Sequence, residues 1–477
     1  MAENPKEQPS KGEGKSKRGR KKRGWCLADR PVLEANAAGI DLGARELYVA
    51  VPPDRDAEPV RRFGTFTEDL HRMAEWLRGC GITTVAMEST GVYWIPPFEI
   101  LEQYQLRPCL VSARHMKNVP GKRTDWQECQ WIQYLHSVGL LRSAFRPAAE
   151  ICAVRALMRH WGDLVALSSQ HVQHMHKALT QMNLQIQHVI SDLSGLTGMA
   201  IVDAILGGER NPDELVKLRD PRIRAEVSVV RKSLVGHWRA EHLFTLQQSR
   251  DLYRTYQQRI VECDQELERY LKNLTPRVDP EQKPLPPDGK KHRRARRTKK
   301  MGDWQAARDL RTETYRVFGV DVMQIPGLEK GALLLFSEVG RDLSPWPSAH
   351  HFASWCGLCP DNDRSGGQVL WTGVRRIKSR VGQLFRLAAH SLHHSLTPRG
   401  HYLRRLRARL GPRAAITATA HKIAIIFYTL VRQQVEYDES IWARRDAERQ
   451  RRHEANLRRQ AKQLGYQLVP LPETPAA

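Results

Sequence analysis

Short apolar runs alternate with charged and glycine-bearing breaks from Val32 to about Leu141. Residues 38–42 and 47–51 are two such runs, separated by Gly43 and charged residues, which predicts a strand hairpin. Residues 61–67 predict a third strand. Residues 68–79 place Leu70, Met73, Trp76 and Leu77 on one helical face. Residues 82–87 predict a buried strand, 97–103 a further helix and 108–112 a further strand. This alternation predicts an α/β domain on a mixed sheet over residues 31–145.

The period then changes. Trp161, Val165, Ser168, Val172, Met175, Leu179, Met182, Ile186 and Val189 follow steps of four and three, a heptad seam with one polar slot. A second seam runs through Leu246, Ser249, Tyr253, Tyr256, Ile260, Cys263, Leu267, Tyr270 and Leu274. Residues 195–209 predict a short helical connection between them. The seams predict long helices over 146–274 that pair with each other or with another subunit. A self-associating coiled coil is the favoured reading, with a homodimer or tetramer expected. An ordinary helical bundle gives a similar pattern. Five prolines between 276 and 287 break the periodicity, which predicts a flexible Pro-rich basic insertion at 275–304. Residues 305–440 predict a compact helical domain. A charged helix or frayed tail over 441–477 follows it.

Composition adds a partner. The 477 residues carry a formal charge of +24. That favours a polyanion, nucleic acid before an anionic membrane. Residues 1–24, within a tail (1–30) expected to be disordered, hold nine Lys/Arg against three Glu. Residues 290–300, which include Lys290, Lys291, Arg293 and Arg294, hold eight without an acid. These runs suit auxiliary phosphate binding, and equally a solvated tail and loop. The folded remainder reads as only mildly basic. No apolar segment follows the basic start, and the apolar run at 423–431 is too short to span a bilayer. With scattered cysteines, this predicts reduced thiols and a cytoplasmic, nucleoid-associated setting without a membrane partner. Cys356 and Cys359 form one CxxC, but His350 and His351 do not complete a zinc set, and ordinary packing is the expected role.

Four carboxylates carry candidate chemistry. Asp41 ends the apolar Gly39-Ile40 run, and Glu88 closes Val85-Ala86-Met87, a strand end where a sheet presents functional groups. Thr124 and Gln127 match a capping box, so a helix begins there and Asp125 and Glu128 lie one turn apart on one side. Such a set can hold two Mg²⁺ or Mn²⁺ ions and stabilise charge in phosphodiester cleavage. Individually, Asp125 could simply favour a helix N-terminus, and Asp41 a turn.

At these residues the chain resembles a known family. GIDLG, AMESTGVYW and KRTDWQECQW, followed by LHSVGLLRSAFRP, are similar to the RuvC-like half of the DEDD insertion-sequence transposases, which include Piv-type invertases and RNA-guided bridge recombinases. IPGLEKGALLLFSEVG, SWCGLCPDNDRSGGQVL and FRLAAHSL resemble the family's second domain. The resemblance covers roughly residues 35–440. It implies an RNase H-like domain, a coiled-coil dimerisation region and a helical transposase domain. It also implies that Asp41, Glu88, Asp125 and Glu128 fill the four metal-binding acidic positions. Glu128 departs from the family, which more usually has Asp there.

Read alone, Ser365-Gly366-Gly367 is a common tight loop whose amides suit a phosphate. The resemblance implies that Ser365 is the nucleophile that forms a DNA–serine linkage, in a composite site with the carboxylates. Arg364, Gly366, Gly367, Arg375, Arg376, Lys378, Arg380 and Arg386 are expected to line a nucleic-acid groove, with a solvated helix face as the alternative. The turn at Ile325-Pro326-Gly327-Leu328 suits either a helix-hairpin-helix phosphate grip or an ordinary helix start. Trp94, Trp126 and Trp371 are expected in the core. The implied function is metal-dependent DNA strand exchange on element ends and target, with a structured guide RNA implied by resemblance only. A junction nuclease using carboxylates and water, or a non-enzymatic nucleic-acid scaffold, are the alternatives.

Overall fold

The computed structural model describes residues 30–89, 91–111, 124–287, 310–329, 331–375, 377, 379–467 and 469. Residues 1–29 of the expected tail (1–30) and the basic run at 290–300 lie outside them. The chain divides into two units, Met1–Phe145 and Arg146–Ala477.

In the first unit, β1 (Ala37–Leu42), β2 (Glu46–Ala50) and β3 (Val60–Gly64) form an antiparallel meander. Helix α1 (Thr67–Gly79) leads to β4 (Thr84–Glu88), α2 (Ile95–Gln103) to β5 (Arg107–Val111), and α3 (Asp125–Ser137) follows. Both β4 and β5 run parallel to β1, giving the order β3-β2-β1-β4-β5. A mixed five-stranded sheet in this order, with helices packed on it, is the RNase H/RuvC-like architecture. Leu70, Met73, Ala74 and Leu77 of α1 bury one face of the sheet with Ile40, Val49, Val85 and Met87. That is the helical face expected for 68–79, with Trp76 at its edge.

On the other sheet face, α3 lies directly against β1. A Cβ on Gly39 would sit 2.3 Å from the Gln133 backbone nitrogen and 2.5 Å from the Cys129 carbonyl oxygen, so only glycine admits this approach. Gln133 Nε2 also donates to the Ala37 carbonyl at 3.2 Å. The Gln127 side chain accepts the Thr124 amide at 3.3 Å, closing the expected capping box.

The second unit opens with α4 (Ala149–Gln181), then α5 (Leu196–Leu206), α6 (Pro212–Lys217), α7 (Val227–Ser233) and α8 (Ala240–Asn273). The two seams meet each other within the chain. Cys263 Sγ lies 3.7 Å from the Leu157 carbonyl, Gln257 Nε2 donates to Ser168 Oγ at 2.8 Å, and His171 stacks on Tyr256 at 5.4 Å. These pairings run antiparallel, and the polar slot at Ser168 is filled by Gln257. Two details depart from the heptad reading. The first helix stops at Gln181, because Asn183 takes φ +54 and the chain turns back, so Ile186 and Val189 belong to a cluster of α5–α7 and not to the seam. In the second seam Leu271 is buried while Tyr270 is exposed.

Residues 275–287 have no regular structure, as the prolines predict, yet they are fastened. Arg277 donates to the Arg341 carbonyl at 2.9 Å and Arg311 to the Pro286 carbonyl at 2.8 Å. This part of the expected flexible insertion is therefore tied down.

Beyond it come α9 (Leu310–Phe318), α10 (Ala332–Val339), α11 (Ala349–Trp355), β6 (Asp363–Ser365), β7 (Gln368–Trp371), α12 (Arg380–Ser391), α13 (Pro398–Leu410), α14 (Pro412–Gln433) and α15 (Ser440–Gln463). Phe318, Phe336, Phe352, Phe385 and Phe427 interlock with centroids 5.4–6.1 Å apart. Helix α14 is long and apolar enough, by length and composition, to cross a membrane. Its buried residues, Ile423, Ala424, Phe427 and Val431 among them, face the helices around it, so it reads as a core helix. At the α4–α10 contact, Arg159 grips Glu338 with two hydrogen bonds of 3.0 and 2.9 Å, and Arg155 lies 3.5 Å from the same carboxylate.

Candidate active site

The sheet register sets the first two acids side by side. Ile40 pairs with Met87, so Asp41 and Glu88 stand next along adjacent parallel strands. Both are two residues on from Gly39 and Ala86, the positions covered by α3, and therefore share its face. Ser89 holds the end of β4 by donating its amide (2.9 Å) and hydroxyl (3.1 Å) to the Val111 carbonyl. Helix α3 turns Cys129, Ile132 and His136 toward the sheet. Asp125 and Glu128 lie one turn before Cys129 and Ile132, at the end of α3 nearest Asp41.

The Asp41 carboxyl reports the convergence. Its pKa is pushed up to about 6, first by burial, then by the charges of Glu128, Asp125 and Glu88, against a Leu42 amide hydrogen bond that lowers it. Glu128, the residue that departs from the family pattern, exerts the strongest of the three carboxylate effects. Among the described residues, no three His, Cys, Asp or Glu side chains close into a ready cage for a metal ion. Asp41 feels the charge of the other three without the set being drawn onto a single point. As a donor set they are hard oxygens under mutual repulsion, which suits a divalent cation of the Mg²⁺ or Mn²⁺ kind.

Ser365 lies on a two-stranded ribbon, a departure from the all-helical expectation for this region. Ser365 pairs with Gln368 around Gly366 (φ +58) and Gly367 (φ +82), so both turn residues are left-handed. That is a two-residue type I′ hairpin, which only glycine-like residues enter without strain. The ribbon extends to a Pro360–Val374 bridge, and the whole of β7 is exposed.

Two transposase family models match the chain. Residues 38–184 match the model described as DEDD_Tnp_IS110, a transposase. Residues 321–403 match the one described as the transposase IS116/IS110/IS902 family. The chain is an IS110-family DEDD transposase. No curated protein matches it. The family's activity is DNA transposition and recombination, so this transposase acts on DNA.

The cationic residues expected to line a groove divide. Arg364 and Arg380 are exposed. Arg375, next to the Pro360–Val374 bridge at the base of the ribbon, donates to Ser354 Oγ at 2.5 Å, and Arg386 of α12 donates to the Gly357 carbonyl at 2.7 Å. Arg376, Lys378, Lys290, Lys291, Arg293 and Arg294 lie outside the described residues. At the Ile325–Leu328 turn, a Cβ on Gly327 (φ +91) would sit 2.4 Å from the Ala388 carbonyl oxygen, and the Leu328 and Gly331 amides donate within the turn. That glycine answers to packing against α12, which favours the ordinary-turn reading. Cys356 is buried, its thiol pushed up by burial, and Cys359 is half-buried, in keeping with packing roles.

Two core expectations fail. Trp94 packs beside Phe98 as expected, but Trp126 is 45% exposed and Trp371 41% exposed. Trp126 stands edge-on to Tyr48, the residue paired with Asp41, at 6.1 Å, so an open indole flanks the carboxylates.

The charge reading also missed a feature. Between Asp363 and Glu436 this transposase has no Asp or Glu, against 52 in the whole chain. Looking for runs of Lys and Arg overlooks such a span; looking for missing acids finds it.

Proposed function

We propose that this transposase cuts and rejoins the DNA of a mobile element through two components, the carboxylates Asp41, Glu88, Asp125 and Glu128, and the hydroxyl of Ser365. The observation that carries the reading is the Asp41 carboxyl beside Glu88 on the sheet face that α3 covers, raised first by burial and then by the charges of Glu128, Asp125 and Glu88. Apart from a cation, such crowding is a cost with no structural return.

The four carboxylates would hold Mg²⁺ or Mn²⁺, which when bound stabilises the charge that develops on attacking and leaving oxygens. Ser365 Oγ attacks the scissile phosphorus and gives up its proton. A serine–phosphate ester forms, the phosphorus bond to one deoxyribose oxygen breaks, and that oxygen takes a proton as the leaving hydroxyl. The ester conserves the energy of the broken bond, so rejoining needs no external source. The reversed attack, by a hydroxyl of another strand, releases Ser365. Exposure of Ser365 on a tight ribbon supports access to a duplex. A structured guide RNA and self-association belong to the same reading; the basic runs at 1–24 and 290–300 suit an RNA backbone as well as DNA.

The test is recombination by the full chain and by Ser365→Ala and Asp41→Ala. The proposal expects loss of product in both and a protein–DNA adduct only where Ser365 is present. Near-normal product from either variant sinks it. Metal-dependent cutting by Ser365→Ala without an adduct would instead establish a hydrolytic nuclease. Sequencing the nucleic acid that copurifies tests the guide: one specific structured RNA is expected, and only random fragments would refute it.

A further inference from the structure

Beside the carboxylates lies an aromatic side chain that the chemistry proposed above does not use. Trp126 is the second residue of α3, between Asp125 and Glu128, and it is exposed. Its ring stands edge-on to Tyr48 at 6.1 Å. Tyr48 pairs with Asp41 across β1 and β2 in antiparallel register, so the two side chains leave the sheet on the same face. On that face Tyr48 packs with Ala50, Val60 and Cys129. Cys129 lies one turn after Trp126 and donates its thiol to the Trp126 carbonyl at 3.1 Å. The indole therefore flanks Asp41 from the β2 side. On the β4 side, the turn that follows Glu88 exposes Val92 and Tyr93.

Single exposed apolar residues are common and need no explanation of their own. At this position there is one. The site has to hold a polyanionic strand beside four carboxylates, yet no Lys or Arg is among the groups that act on Asp41. A cation at this spot would pair with the carboxylates and compete with a divalent ion for them. An aromatic face is neutral. It attracts a nucleobase by stacking and leaves the acids to the ion. The Tyr48 contact is of the edge type, so it orients the indole without covering it.

We infer that Trp126 is a specificity-determining residue, whose indole stacks on one nucleobase of the DNA strand at the carboxylate site. This rests on the proposed function for the placing of DNA at these carboxylates. In an intact duplex both faces of every base are covered by its neighbours, so a side chain stacks only on a base that has left the stack. The occupant is therefore a strand opened at that step. Every base has a π-face, so the contact itself tolerates any base. Selection comes from the ease of opening, which favours flexible pyrimidine–purine steps at this point.

The test measures equilibrium binding of the full chain, with whatever nucleic acid copurifies, to duplexes spanning the ends of its own element. An abasic residue is moved through the duplex one position at a time, and chelator is present throughout so that no strand is cut. Trp126→Ala is expected to weaken binding to the intact duplex by about 5- to 150-fold. At one position the abasic residue removes the difference between wild type and Trp126→Ala, and at the others the difference persists. Trp126→Phe restores most of the loss, while Trp126→Leu, apolar without a π-face, does not. Should Trp126→Ala fail to fold, Trp126→Leu against Trp126→Phe carries the same comparison. Equal binding by wild type and Trp126→Ala overturns the inference. So does a loss that no abasic position removes, or a loss seen with a structured RNA and not with DNA. Full recombination by Asp41→Ala would sink the proposed function without altering these bindings, so the two failures are read separately.

Discussion

Gly39→Ala is the smallest change that separates α3 from the sheet. The added methyl would lie 2.3 Å from the Gln133 nitrogen, 2.5 Å from the Cys129 oxygen and 2.8 Å from the Gln133 Cα. All three are backbone atoms, so no rotamer relieves the clash. Ordinary contact is about 3.5 Å, so the helix must withdraw by about 1 Å. Overpacking of this kind costs about 1–3 kcal/mol. The same shift carries Asp125 and Glu128 away from Asp41. A misplacement of about 1 Å in a catalytic group costs on the order of 100-fold in rate. Two measurements follow: urea unfolding for the stability loss, and metal-dependent strand cleavage for the rate. Gly79→Ala is the control, because its methyl meets nothing within 4 Å. It should be neutral or stabilise by up to about 1 kcal/mol. If Gly39→Ala matches Gly79→Ala in both assays, the claim that α3 sets the site through this contact is refuted.

Three further outcomes are expected. In chelated protein the Asp41 carboxyl titrates near 6 when folded and 3.8 when unfolded, so the folded state keeps its proton longer and stability falls as pH rises from about 4 to about 6. The full shift corresponds to about 3 kcal/mol, and partial solvation reduces it to about 1–2; Asp41→Asn should remove that slope, and equal slopes in the two proteins would count against it. Gly367→Val places a branched residue at φ +82, costing about 1–2 kcal/mol locally; faster proteolysis within 363–371 and reduced recombination are expected at an unchanged global unfolding midpoint. Glu338→Ala removes the carboxylate from Arg155, which keeps its bonds to the Ser337 and Glu338 backbone carbonyls, and from the part-exposed Arg159, and should cost about 1–3 kcal/mol in urea unfolding; no loss would mean that the pair is not stabilising.

Much of the first unit was legible because its signals are local. Buried strands read as apolar runs, and Thr124 with Gln127 announced the start of α3. The heptads announced α4 and α8, but a period carries no address: the same stripe serves a second subunit or the returning helix, and here it meets the returning helix. The first seam overran because Ile186 and Val189 keep the spacing after Asn183 has reversed the chain. The ribbon at 363–371 was hidden because it is exposed on both faces and so shows no alternation of apolar and polar residues. The exposure of Trp126 was equally illegible, since an indole beside carboxylates has the same letter as one in a core. The convergence of the four acids came from register and from Gly39, neither of which a sequence displays directly.

The Ser365 ribbon has a consequence for fidelity. Two strands with open faces are marginal as an isolated unit, and this one is braced at its base, by Arg375 and the Pro360–Val374 bridge. Under the proposed chemistry, the alignment of its tip would be set by the DNA that binds it. Idle protein would thus present its serine out of alignment, and a DNA that fits poorly would hold it in place too briefly to be cut. Discrimination between correct and incorrect junctions would then arise as a kinetic checkpoint, set by how long the DNA stays and not by how tightly it first binds.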